Sequence, residues 1–200
     1  MSAVRVLVFA IIATIGLMPS NSFGASIDGK WFLHSFGEMR AYFGDFLAVC
    51  DEEGFRRCRI VQYGFGPQVD VEGNPVASQD GFFGNSRLSI QQEFDANVAP
   101  TFQIEIFSTK LSDVPKGPMT LSIDGQVFQL TEDDWQAGSP EGYNVAKTFS
   151  IIEPSLNAEI IAAVKAGNRL RVLHDGWSET HFQLRGITRA LMAIEKREFN

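Results

Sequence analysis

Apolar and polar residues alternate along most of this chain, in short runs separated by glycine, proline and acidic residues. Thr101 to Phe107 sets Phe102, Ile104 and Ile106 on one face, and Ser86 to Phe94 does the same with Leu88, Ile90 and Phe94. A period of two is the signature of strands with one buried face. Trp31 to Phe36 and Val145 to Ile152 are apolar-rich runs that read as further strands. Only two segments carry the helical period instead. Pro154 to Ala166 places Leu156, Ile160, Ile161 and Val164 on one side, starts with a proline and stops before Gly167, which suits a C′ residue. Thr188 to Arg197 repeats the pattern with Leu191 and Ile194 inward and Lys196 and Arg197 near its end, where cations suit the helix dipole.

Hairpins join the strands. Met119, Leu121 and Ile123 alternate with Thr120 and Ser122, Asp124-Gly125 forms a two-residue turn, and Val127 to Leu130 returns. Phe43 to Cys50 and Arg57 to Tyr63 form a second hairpin around Gly54, and this register sets Cys50 directly opposite Cys58. Such a pair is close enough to bridge. A disulfide there closes a short loop and stabilises by about 2 to 3 kcal/mol. A third hairpin runs from Asn168 to Leu184 and turns near Asp175 and Gly176. Strands come first, then a helix, a hairpin and a closing helix, so the expected fold is mainly β. It is an antiparallel β-sandwich-like domain with two helices in the C-terminal half.

The N-terminus departs from this pattern and changes the compartment. Arg5, the apolar run Val6 to Met18 and the small, polar stretch Pro19 to Gly24 have the three-part layout of a secretory signal. The apolar run is too short for a stable membrane span. Ser22 and Gly24 suit cleavage before Ala25, leaving 25–200 as one β-rich domain, periplasmic or secreted, where a disulfide persists. The full chain has 200 residues, 44 % apolar and 20 % charged, with 24 acids against 17 Lys and Arg and a net charge of −7. This surplus disfavours nucleic acid as a partner.

Chemistry-bearing motifs are sparse. Gly64-Phe-Gly66 lacks the third glycine and following helix of a dinucleotide site, and the chain has no Gly-x-Ser-x-Gly elbow. Glu132-Asp133-Asp134 and Asp51-Glu52-Glu53 are adjacent acids in turns, and Trp31, Trp135 and Trp177 suit core or rim packing. His174, Asp175, Glu179 and His181 are the one set with metal-ligand chemistry, and they support an alternative reading as a small metal-dependent hydrolase. The long Gly- and Pro-rich stretch 64–85 carries Phe82 and Phe83 between two glycines, an apolar tip suited to a partner. No catalytic residue, metal site or cofactor is assigned, and the expected role is binding.

Several segments together resemble a known family. The signal-like N-terminus, Phe43-Gly-Asp-Phe-Leu-Ala-Val-Cys50, Arg57-Cys58-Arg-Ile-Val-Gln62, Val114-Pro-Lys-Gly117 leading into Leu121-Ser-Ile-Asp-Gly125, Ala166-Gly-Asn-Arg-Leu-Arg-Val172 and Phe182-Gln-Leu-Arg-Gly186 are similar to the invasion-associated locus B family of exported bacterial proteins. The resemblance implies a β-sandwich-like periplasmic or secreted protein without enzymatic activity. Together with the residue-level reading, this leaves a protein or cell-envelope component as the expected partner, with no functional residues carried over beyond the disulfide pair Cys50 and Cys58.

Overall fold

A computed structural model describes residues 28–51, 56–64, 86–94, 98–107, 117–138, 146–174 and 179–196. These form two antiparallel sheets and two helices. The strands are β1 (Phe32–Leu33), β2 (Met39–Phe43), β3 (Phe46–Cys50), β4 (Arg57–Tyr63), β5 (Ser86–Glu93), β6 (Thr101–Phe107), β7 (Met119–Ile123), β8 (Gln126–Leu130), β9 (Trp135–Gly138), β10 (Ala146–Ile151), β11 (Arg169–His174) and β12 (Thr180–Gln183). Eight pair in the order β1-β2-β3-β4-β5-β6-β10-β9, and four in the order β12-β11-β7-β8. Helix α1 (Pro154–Ala166) lies against β6 and β10, and α2 (Ile187–Lys196) against β2, β3 and β4. The expected mainly β, sandwich-like architecture is therefore present.

Alternation decides which side is buried. In β6, Phe102, Ile104 and Ile106 are each 1 % exposed, and in β11 Leu170, Val172 and His174 point inward while Arg169, Arg171 and Leu173 face out. The two inner faces meet through Trp135, Phe149 and His174, whose rings pack edge-on at 5.1 to 5.9 Å between centroids. Trp31 and Trp135 are buried, in line with a packing role, and Trp177 lies outside the described residues.

Both cysteines are fully buried and joined, with Cys50 paired to Cys58 across β3 and β4 at a Cα separation of 4.1 Å. The turn residues 52–55 lie outside the description. Asp124 and Gly125 have φ of 46° and 97°, so both turn residues of the β7–β8 hairpin are left-handed, as a type I′ turn requires. Asp124 also fastens that turn to β11, accepting the Asn168 N–H at 2.7 Å and the Arg169 N–H at 3.1 Å.

Four sequence expectations change. The run Phe43 to Cys50 is not one strand: Gly44 and Asp45 form a two-residue turn, Phe43 pairs with Phe46, and the preceding residues become β2. Hydrophobic flanks had masked that turn. The strand expected over Trp31 to Phe36 shrinks to Phe32–Leu33, and β9, hidden behind an acidic turn, was not foreseen. The second helix begins one residue earlier, at Ile187, and is described as far as Lys196, Arg197 lying outside the described residues. Gly167 is not left-handed but extended, with φ −87°. A glycine is needed there because a Cβ would stand 2.6 Å from Ile123 Cγ2.

Candidate functional site

The two helices leave a groove between them. On α1, Ala158, Ile161, Ala162 and Lys165 recur at helical spacing along one stripe, facing Leu191, Ile194 and Glu195 of α2. Gln92 of β5, with Ala99 and Pro100 just before β6, closes the floor together with Asn157, and the groove holds about 340 Å³. That volume lies at the lower end of small-molecule sites, which are apolar with a few fixed polar groups. Three lining residues are alanines, Ala158 and Ala162 on the wall and Ala99 on the floor, and their short side chains leave that space open. Leu191 and Ile194 are buried and Ile161 half-buried, so the interior is apolar, while Lys165 and Glu195 stand exposed at the rim.

Asn157 sets the position of α1 over this floor. Its side chain is 6 % exposed, its Nδ2 donates to Pro100 O at 2.7 Å, and its Oδ1 accepts the Phe102 N–H at 2.8 Å. The β10–β6 ladder ends at Ser150 and Gln103, so the carboxamide serves the next ladder position, where a β10 residue would otherwise bond. At the start of α1, Glu153 caps the helix by accepting from Ser155 N at 3.0 Å and Leu156 N at 2.5 Å. The Ser155 hydroxyl and these backbone donors hold the Glu153 carboxyl below its usual pKa. Sequence reading placed Ile161 in the core and passed over Asn157. The only available signal was a polar residue inside the apolar stripe of a helix.

The 174–181 segment does not assemble into a site. His174 is 3 % exposed on the inner face of β11, with its Nε2 donating to Gly117 O at 3.1 Å. His181 pairs with Arg171 and so faces outward, on the opposite side of the four-stranded sheet. Arg169 can only donate, so His181 Nδ1 accepts at 2.9 Å and Nε2 carries the proton toward Glu179 Oε1 at 3.0 Å. Both ring nitrogens are thus engaged. Glu179 is further bound by Arg171 at 2.6 and 2.9 Å, and that hydrogen-bonded guanidinium lowers its pKa. Asp175 lies outside the described residues, among which no group of three His, Cys, Asp or Glu is placed to hold a metal. Phe82 and Phe83 also lie outside them.

The outer face of the eight-stranded sheet carries a second polar cluster. Arg87 pairs with Glu105, which is 4 % exposed, and its guanidinium lies over the Tyr63 and Phe107 rings at 5.7 and 5.3 Å. Burial pulls the Arg87 pKa down, but Glu105 outweighs it and the net shift is upward. Arg59 shifts the other way, through burial first and then repulsion from Arg87. The sequence reading of Arg57 to Tyr63 as a strand did not reach this cluster, which the pairing of β4 with β5 and of β5 with β6 assembles.

Fold and groove together define a disulfide-bridged β-sandwich with a helix-lined apolar cleft. No protein-family model matches the chain, and no curated protein or solved structure is significantly similar to it.

Proposed function

We propose that this chain is a non-enzymatic exported protein of the invasion-associated locus B type that acts by binding a cell-envelope component or a protein. The observation that carries the binding reading is the groove of about 340 Å³ between α1 and α2, apolar within and charged at its rim. Apolar clefts with a few polar groups are where ligands are held. Export is supported by the signal-like pattern of residues 1–24 and by the buried Cys50–Cys58 bridge, a bond that oxidising compartments sustain. The same two features support a periplasmic or secreted localisation.

The test uses the full chain expressed in a bacterium and recovered from the periplasm. Its intact mass should match cleavage before Ala25 and the loss of the two thiol hydrogens. The same protein, mixed with washed envelope fragments, should sediment with them saturably. An uncleaved, reduced mass would overturn the export reading, and failure to sediment with envelopes or with any envelope protein would overturn the binding one.

A further inference from the structure

Lys165 and Glu195 close the groove from opposite helices, each in the last turn of its helix. Both are exposed, and neither makes an ion pair or side-chain hydrogen bond among the described residues. Some exposed charges elsewhere are committed, Arg171 to Glu179, Arg185 to Asp45 and Arg189 to Asp28. A cation and an anion left uncommitted at the two lips of one apolar cleft are complementary to a ligand that carries both charges on an apolar body.

We propose that the groove binds a single acyl chain with a zwitterionic phosphate-ammonium head group. The chain lies along Ala158, Ile161 and Ala162 against Leu191 and Ile194, Lys165 meets the phosphate, and Glu195 meets the ammonium. This rests on the binding reading above and names its ligand as a lipid of the envelope. The volume suits the assignment, since about 340 Å³ exceeds what one amino-acid side chain fills and lies in the range of small-molecule pockets. Burying the chain supplies the affinity, at about 0.8 kcal/mol per methylene removed from water. The two rim charges then select the head group.

The probe is a twelve-carbon lysophosphatidylethanolamine, titrated calorimetrically into the periplasmic protein below its micelle concentration. One molecule per chain should bind, about fivefold more tightly than the phosphatidylglycerol analogue of equal chain length. Ala158→Leu plus Ala162→Leu fills the groove at exposed helix positions that accept leucine, and should abolish binding while circular dichroism and Tm stay unchanged. Glu195→Gln should remove the head-group preference and keep chain binding. Equal affinity for both head groups in the unaltered protein, or undiminished binding by the filled variant, overturns the proposal. So does a concentration-dependent dimer that the filled variant abolishes, because a second copy would then own the groove. Envelope sedimentation that survives filling of the groove sinks the lipid assignment and leaves the binding reading standing, whereas failure of the unaltered protein to sediment with envelopes sinks both.

Discussion

The carboxamide of Asn157, in the first turns of α1, accepts the backbone N–H of Phe102 at the start of β6 across 2.8 Å. One buried side chain thereby fixes a helix to a sheet and sets the width of the cleft beside it. Asn157→Ala leaves the Phe102 N–H and the Pro100 carbonyl without this partner, and a buried group left unsatisfied costs about 1 to 3 kcal/mol. Urea unfolding should show that loss at unchanged m-value. The same variant should also weaken ligand capture in the groove, whereas Asn157→Asp should retain part of the stability by accepting from Phe102.

His174 and His181 should respond differently to truncation because they face opposite sides of the same sheet. His174 is buried against Trp135 and Phe149, so His174→Ala opens a core cavity and should cost about 2 to 4 kcal/mol. His181→Ala removes an exposed contact and should stay within about 0.5 kcal/mol. Similar losses for the two would contradict the face assignment.

Gly186 precedes α2 with φ 95°, and a Cβ there would stand 2.0 Å from Phe43 O. The β2–β3 turn and the start of α2 cross at this point, held by Asp45 N donating to Arg185 O at 3.0 Å. Gly186→Ala forces the two backbones apart and adds strain at a left-handed φ. It should cost about 1 to 3 kcal/mol or more, read as a lowered Tm.

Acid should destabilise the fold through its capping and pairing carboxylates. Asp124, Glu153, Asp28 and Glu179 all have pKa values lowered in the folded state, by backbone donors at Asp124, by Ser155 and backbone donors at Glu153, and by Arg189 and Arg171 at the other two. The stability they contribute is complete above their ordinary values of 3.8 for Asp and 4.5 for Glu, and is lost as pH falls through the lower folded values. Tm should therefore be flat from neutral pH to about 5 on their account and fall below about 4. Asp124→Asn should flatten part of that fall.

Reduction of the buried Cys50–Cys58 bridge opens a ring of sequence separation 8. The chain-entropy contribution for so short a loop is about 2.5 kcal/mol, so Cys50→Ala plus Cys58→Ala should lower stability by about that amount or somewhat more. An unchanged unfolding midpoint in reductant, with reduction verified by mass, would contradict the placement of the bridge.

Local chemistry determined much of this protein. Strict alternation located β5, β6 and the β7–β8 hairpin, Asp124-Gly125 specified its own turn, and the distance from Cys50 and Cys58 to Gly54 set their register. A proline start and a 3.6-residue period placed α1 at its observed bounds. These features depend only on residues within a few positions of one another. What depended on distant partners was not legible: whether Gly44 turns the chain, which side of a sheet each histidine meets, and why Asn157 belongs on a buried stripe. The groove belongs to that second group, because Ala158, Ile161 and Lys165 look like an ordinary half-exposed helix until α2 and the 98–100 segment are packed beside them. Side-chain periodicity fixes which face a residue shares with its neighbours, and only tertiary packing decides what that face meets.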